Sequence, residues 1–477
     1  MVFSSITFIF IFLPVVLALF YLVPKKYKNL TLLFSSLFFY AWGGVSYTAI
    51  LIISIFLNYF IGRGVASKNK HHSKVFLAIG ILVNLLLLVV FKYADFFVEN
   101  LNYLFLNFNI PTVKQPHILL PIGISFFTFQ ALSYLIDIYR KEATVQKKFV
   151  DLGLYISLFP QLIAGPIVRY HDIFKQLAKR SLTLDKFHYG LQRFIIGLGK
   201  KVLLANNLAI IADDIFSKPT HLISWPTAWI GVVSYSLQIY FDFAGYSDMA
   251  IGLGKMFGFT FLENFNFPYV SKSIREFWRR WHISLSTWFK DYLYIPLGGN
   301  RKGKGRTYIN LFIVFLLTGF WHGASWNFIV WGLIHGFFLI IERIGFNKIL
   351  NKLWTPLRHF YTLVVVALAW VFFRSDNLEY ALQYLKVLFG GGEFIMQGQW
   401  MFYADKLNII ILFAAILSSS YFFIWVHDNL KKIRFSYTVL SLNIANLVSV
   451  MTLLGLFLLS CISILSGGYN PFIYFRF

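Results

Sequence analysis

The sequence predicts an all-α polytopic membrane protein, and three observations carry that prediction. Of the 477 residues, 58% are hydrophobic and only 13% charged, about half the charged share of a soluble domain (~25%). The apolar stretches are long and unbroken, unlike the alternating ten-residue pieces that build membrane barrels. The formal charge of +23 is gathered in clusters between those stretches, where the positive-inside rule places it. That placement makes membrane lipid the partner the charge serves and argues against nucleic acid.

A spanning helix needs roughly 20 apolar residues. Candidates lie near 5–23, 29–43, 45–62, 75–92, 119–138, 150–166, 189–211, 225–245, 308–321, 326–342, 359–373, 408–426 and 437–465, the shorter ones suiting re-entrant segments. Lys25, Lys26 and Lys28 follow the first apolar run, so it reads as a retained anchor rather than a cleaved signal. Lysine and arginine clusters at 68–74, 140–148 and 301–306 then mark the cytosolic side, and segment 95–118, with Asp95 and Glu99, lies outside. Helix 359–373 runs outward from Arg343, Lys348 and Lys352, and loop 375–407 is external. Helix 408–426 returns to Lys431, Lys432 and Arg434, and the last helix runs out again. The tail SGGYNPFIYFRF (466–477) therefore emerges outside. No linker divides the chain, which reads as one membrane domain over 1–477. Its polar motifs cluster at about 120–342, extra helices occupy 359–465, and the external tail is 466–477. The single cysteine, Cys461, excludes an internal disulfide framework and a cysteine-based metal site.

Two stretches are unusual. In 273–289, Ile274, Trp278, Trp281, Leu285 and Trp288 recur at helical spacing, and Arg275, Arg279, His282 and Ser286 share another face. One continuous interfacial helix, with tryptophans at headgroup level, is the plain expectation. Yet a histidine aligned with arginines also suits a phosphate-bearing donor. The second stretch is the charge-free run between Arg306 and Glu342. As one straight helix its roughly 35 residues would reach about 52 Å, far beyond the ~30 Å hydrocarbon core. It must break, and Gly319, Gly323 and Ser325 around His322 are the natural place. A titratable group at membrane depth beside broken backbone is a functional candidate, although a bond to a neighbouring helix carbonyl would also satisfy it. His335, 13 residues on, reads as structural, and Asp242 and Asp248 as packing partners for lysine or arginine. Gly252 and Gly254 follow no strand and form no nucleotide fingerprint.

Several motifs together resemble the bacterial branch of the membrane-bound O-acyltransferases. They are QLIAGPIVRY (161–170), FDFAGYSDMAIG (241–252), NFNFPY (264–269), FWRRWHISLSTWFKDYLYIPLGG (277–299) and GFWHGASW (319–326). The likeness is to the proteins that O-acetylate alginate, peptidoglycan and other wall polysaccharides. It implies a ring of about a dozen helices around a core thinned by opposed funnels, in the bacterial cytoplasmic (inner) membrane. It also implies that His322 is the principal catalytic histidine and His282 the second polar position, with Arg275, Arg279, Arg280, Ser286, Trp321 and Asn327 as substrate contacts.

The resemblance implies no tightly bound cofactor and no metal. The co-substrate would be a cytosolic acyl donor, acetyl-CoA or an acyl-carrier thioester. A neutral imidazole can take a hydroxyl proton as the ester forms. Related export systems carry a short aromatic C-terminal motif whose tyrosine relays the acyl group, and Tyr474 matches it. An aromatic interface anchor would use the same residues. The expected onward partner is an external SGNH-type, hydrolase-like acyltransferase acting on an envelope polysaccharide. D-alanyl transfer from a carrier protein is the alternative activity, and a transporter without a covalent step is the rival from another class.

Overall fold

The computed structural model describes residues 1–391, 398–434, 439–471 and 473, the side chains of 427 and 430–446 excepted. Every regular element among the described residues is helical. Six helices are long and apolar enough to cross a membrane: Val45–Val65, Lys70–Asn107, Leu184–Phe216, Trp326–Leu350, Thr355–Arg374 and Leu447–Leu465. Along the last of these, Leu447, Met451, Leu454, Leu458 and Ile462 are all exposed. Such an apolar face requires lipid around it, and the chain is a multi-pass membrane protein.

The helix Trp225–Met256 is the centre of the body, buried along most of its 32 residues. It packs against Leu184–Phe216 where small residues let the backbones meet. A Cβ on Gly245 would lie 2.8 Å from the Gly197 carbonyl oxygen. Ion pairs lace the same contact: Asp248 to Lys200 at 2.7 Å and to Arg193 at 2.6 Å, and Asp242 to Lys201 at 2.7 Å. These are the lysine and arginine partners the sequence predicts for the two aspartates.

Four expectations require correction. Candidate 75–92 is part of a longer helix, which runs continuously over Lys70–Asn107, into segment 95–118, through a π-turn at Val89–Tyr93. Asp95 caps the segment that follows, accepting from the amides of His117 at 2.8 Å and Ile118 at 3.1 Å. Segment 150–166 makes only the short buried helices Phe149–Ser157 and Phe159–Leu162, neither long enough to span. Segment 408–426 divides into Lys406–Ser418 and Phe422–Arg434. Ser419 and Ser420 turn their hydroxyls onto carbonyls three residues back, which closes the first helix.

The fourth concerns 273–289, which is two helices, Ile274–Arg280 and Ile283–Phe289. His282 breaks them with φ 42° and ψ 53°, a left-handed conformation costing roughly 1–2 kcal/mol outside glycine. Trp278, Trp281 and Trp288 are buried in protein rather than set at a lipid interface. The break rotates His282 off the arginine face: it is fully buried, whereas Arg275 and Arg279 are exposed.

The charge-free run breaks where its length demands. One helix ends at His322, Gly323 is extended, and Ser325 caps the next helix, Trp326–Ile341. The two helices pack tightly: a Cβ on Gly319 would collide with the Phe328 carbonyl, and one on Gly332 with the Phe315 carbonyl.

Candidate active site

His322 is the last residue of its helix and is 5% exposed. A helix end leaves its final carbonyls without partners, and here the π-turn of the long helix supplies donors. The Tyr93 hydroxyl donates to the Phe320 carbonyl at 2.8 Å. The Lys92 ammonium donates to the carbonyls of Trp321 at 2.6 Å and His322 at 3.3 Å, and to Ser125 Oγ at 3.1 Å. Lys92 is absent from the candidates drawn from sequence. Its signal was a lone lysine closing an apolar run, but the carbonyls it serves lie more than 220 residues away.

Around the His322 ring stand Trp321 and Trp331, each with centroid 4.9 Å away, and Phe373 at 5.2 Å. The His282 ring lies 6.4 Å from it, so the two histidines singled out from separate stretches meet. His282 Nδ1 lies 3.2 Å from Asn264 Oδ1, which also accepts from Ser284 Oγ at 2.8 Å, while Asn264 Nδ2 donates to Ser247 at 3.1 Å. With that oxygen as acceptor, Nδ1 carries the proton and Nε2 keeps its lone pair. Among the described residues, His282 Nε2 has no hydrogen-bond partner. Asn264 lies within the NFNFPY motif but was not among the predicted site residues.

His322 itself lines a small cavity of about 20 Å³ with Lys92, Ser125 and Trp321, and two larger cavities are lined by residues of its helix and of the break that follows it. One, about 240 Å³, has an apolar floor of Trp278, Leu285, Val314 and Phe315 and a rim of Arg275, Arg279, Lys290 and Arg343; Ser286 and Thr318 also line it. The other, about 390 Å³, is lined by Lys92, Asp95, Asp213, Arg374 and Asp376, and by Gly323, Pro471 and Ile473. Thr318, one turn before His322, borders the first and Gly323, next to it in the chain, borders the second, while His322 itself lines neither. His335 is also buried, between Trp278 at 5.2 Å and Trp331 at 5.1 Å, and does not line either cavity.

The remaining predicted residues separate. Arg280 does not line the basic cavity; it pairs with Glu276 at 2.8 Å and also donates to Tyr421. Asn327 ties two helices, donating to the Ser375 carbonyl at 2.7 Å. Tyr474 lies outside the described residues, but its neighbour Ile473 lines the larger cavity.

Among the described residues one trio has metal-ligand spacing, Asp137, Glu142 and His171, with ligand atoms within 4.8 Å of one another. His171 Nδ1 is 3.0 Å from Asp137 and Nε2 is 3.3 Å from Asp172. A carboxylate at each ring nitrogen holds a doubly protonated imidazolium, which accounts for the cluster as a charge network.

A family model described as MBOAT, membrane-bound O-acyltransferase family, matches residues 95–375. The chain belongs to the membrane-bound O-acyltransferase family. It is therefore an enzyme, an O-acyltransferase. It is similar along its whole length to a probable alginate O-acetylase of Azotobacter vinelandii, at 41% identity and with all of both chains covered. It is 47% identical to a probable alginate O-acetylase of Pseudomonas aeruginosa, over 82% of this chain and 75% of that one. It is 41% identical to a peptidoglycan O-acetyltransferase of Helicobacter pylori, over 82% and 80%. A teichoic acid D-alanyltransferase of Bacillus subtilis is 30% identical over 54% of this chain and 68% of its own.

Proposed function

We propose that the protein takes an acetyl group from cytosolic acetyl-CoA and passes it outward across the bacterial inner membrane for O-acetylation of an envelope polysaccharide. The observation that carries this reading is the buried pair of His322 and His282, rings 6.4 Å apart, beside chain that lines two dissimilar cavities, one rimmed by cations and the other lined by Pro471 and Ile473 of the C-terminal tail. The acetyl group follows the relatives named as O-acetylases and O-acetyltransferases, which align with most or all of this chain. The D-alanyl relative aligns with about half of it.

On this reading Arg275, Arg279, Lys290 and Arg343 receive the donor's phosphates through charge-assisted bonds, and the apolar floor takes its arm. Arg280, already paired, plays no part in donor binding. Nε2 of His282 accepts a hydrogen bond and so suits an amide N–H of that arm; polarising a carbonyl would need the protonated ring. Trp321 walls the reaction centre, and Ser286 lies along the donor's path. His322 takes the proton of the Tyr474 hydroxyl as its oxygen attacks the thioester carbon. The C–O bond forms, the C–S bond breaks, and the proton passes to the departing thiolate. Because a phenol with pKa near 10 is a fair leaving group, the acyl-tyrosine keeps enough transfer potential to acylate an external SGNH-type transferase.

The test is His322→Ala, read by mass spectrometry of envelope glycans and by donor binding to the purified protein. Loss of glycan acetylation with donor binding retained is expected. Acetylation at the parental level would remove His322 from the chemistry and end this reading of the site.

A further inference from the structure

The left-handed turn at His282 is bracketed by the segment around Asn264. The Ile283 amide donates to the Asn264 carbonyl at 2.9 Å, and the Asn266 amide donates to the Arg280 carbonyl, also at 2.9 Å. Main-chain bonds on either side of His282 thus hold a backbone conformation that persists only where its surroundings over-determine it. The Asn264 side chain lies within this bracket and is buried, as are His282 and Ser284.

One donor settles how that side chain is turned. The Ser284 amide meets it at 3.2 Å. A main-chain N–H can only donate, so the atom it meets is the oxygen Oδ1. Nδ2 faces the other way and donates to Ser247 Oγ at 3.1 Å. Oδ1 also takes the hydroxyl proton of Ser284 at 2.8 Å, while Ser284 Oγ receives the Ile167 amide at 3.0 Å. An amide oxygen has no proton to give. His282 Nδ1, 3.2 Å from that oxygen, therefore carries the proton of the neutral ring, and Nε2 keeps the lone pair.

Four stretches singled out in the sequence, 161–170, 241–252, 264–269 and 277–299, meet at this one amide. Any polar side chain could tie them together. A hydroxyl at 264 could rotate to donate or to accept, and would leave His282 free to hold its proton on either nitrogen. An amide committed at both ends has no such choice.

We propose that Asn264 is a positioning residue for His282: it fixes the neutral ring as the Nδ1–H tautomer and so keeps Nε2 an acceptor in the ring that lies 6.4 Å from His322. The bearing on the donor rests on the function proposed above, but the tautomer is measured separately.

The experiment is ring-nitrogen NMR of the full-length protein with labelled histidine at neutral pH. The His282 signals are identified by their absence from His282→Gln, and the two nitrogens are told apart by their couplings to the carbon-bound ring hydrogens. The parent should show Nδ1 protonated and Nε2 bare; a protonated Nε2 in the parent overturns the proposal whatever the variants do. Asn264→Leu keeps a side chain of similar size and removes the acceptor. The Ser284 hydroxyl, 3.5 Å from Nδ1, is then free to donate to it, so the proton should move to Nε2. Ser284→Ala leaves the amide oxygen in place and should keep the parental pattern. Parental signals in Asn264→Leu, or a proton moved to Nε2 in Ser284→Ala, overturn the proposal. Affinity for acetyl-CoA, read by calorimetry, should fall about tenfold in Asn264→Leu, because a ring N–H then opposes an amide N–H of the donor. A moved proton with parental affinity would leave the tautomer lock standing and remove His282 from the donor site.

Discussion

Lys92 offers a sharp test of how His322 is held. Its ammonium spends all three donors on Trp321 C=O, His322 C=O and Ser125 Oγ, and Tyr93 beside it serves Phe320 C=O. Three consecutive carbonyls at the end of the histidine helix are thus satisfied from one π-turn. Lys92→Met keeps the stem and removes the charge and every donor. Two buried carbonyls are left without donors, at about 1–3 kcal/mol each, part of which is regained because the cation no longer has to be desolvated. A net loss of about 2–4 kcal/mol in the order of this helix end follows.

A displacement of about 1 Å at a reacting group costs on the order of 100-fold in rate. The loss above, if expressed wholly at the transition state, is about 30- to 1,000-fold. Single-turnover transfer from a labelled acetyl donor, with donor affinity measured by calorimetry on the same protein, reads the two effects apart. The expected result is a fall in rate within that range and donor affinity within threefold of the parent, because Lys92 does not line the basic cavity. A rate within threefold of the parent would refute the reasoning, since the carbonyl clamp would then have no bearing on where the imidazole sits.

Other perturbations separate the remaining roles. His322→Ala should lower acyl transfer by about 10²- to 10⁴-fold, the usual worth of a positioned base, as read by glycan mass spectrometry. Arg279→Ala should raise the KM for donor about tenfold or more through loss of a charge-assisted bond of about 1.5–3 kcal/mol, while Arg280→Ala should leave KM within threefold. Tyr474→Phe keeps the ring and deletes the hydroxyl, so envelope acylation should stop while donor binding persists. A labile acyl adduct should appear on the C-terminal peptide of the parent alone. His171, on the short helix Tyr170–Ala178 outside the spanning segments, is raised to about 9 by its hydrogen bonds to Asp137 and Asp172. Its contribution to stability is therefore complete below about pH 6.5 and lost as pH rises through about 9, an effect of about 3 kcal/mol by the shift alone and about 2 kcal/mol once solvent screening of the half-buried ring is counted. Thermal unfolding of His171→Gln should lack that alkaline decline, and an unchanged profile would remove the imidazolium from the account.

What could be read from the sequence follows the range over which each signal acts. The break at His322 was legible because it is a matter of length: a charge-free run longer than the bilayer, with Gly319, Gly323 and Ser325 in its middle, has to interrupt itself there. The salt-bridge partners of Asp242 and Asp248 were legible in kind, because a carboxylate among aromatics needs a cation, but Lys201, Lys200 and Arg193 could not be chosen without the packing of two helices. The break at His282 was not legible. Periodicity of the tryptophans runs unbroken across it, and only a left-handed residue, for which no glycine stands as a marker, splits the helix in two. That split takes His282 away from Arg275 and Arg279 and sets it 6.4 Å from His322.

The same contrast explains why the two ends of the proposed reaction path are built differently. Donor phosphates are mobile and highly charged, and a rim of exposed arginine and lysine side chains, of which Arg275 and Arg279 were read from sequence and Lys290 and Arg343 were not, is sufficient to attract them. A tail that must bring one hydroxyl beside one imidazole needs fixed geometry instead, and long flexible cations at a surface do not provide it. Here the fixed elements are main-chain groups held by buried ions: Pro471 and Ile473 by Lys201 and Asp242, and the last carbonyls of the histidine helix by Lys92. Each of these contacts joins residues more than 220 positions apart. Such pairing leaves no periodic or local trace, since a lysine that clamps a distant carbonyl and one that only snorkels to the interface look alike in an apolar run. Two of the cations proposed to attract the donor were visible in the sequence, whereas the contacts of Lys92 and Lys201 emerge only from tertiary structure.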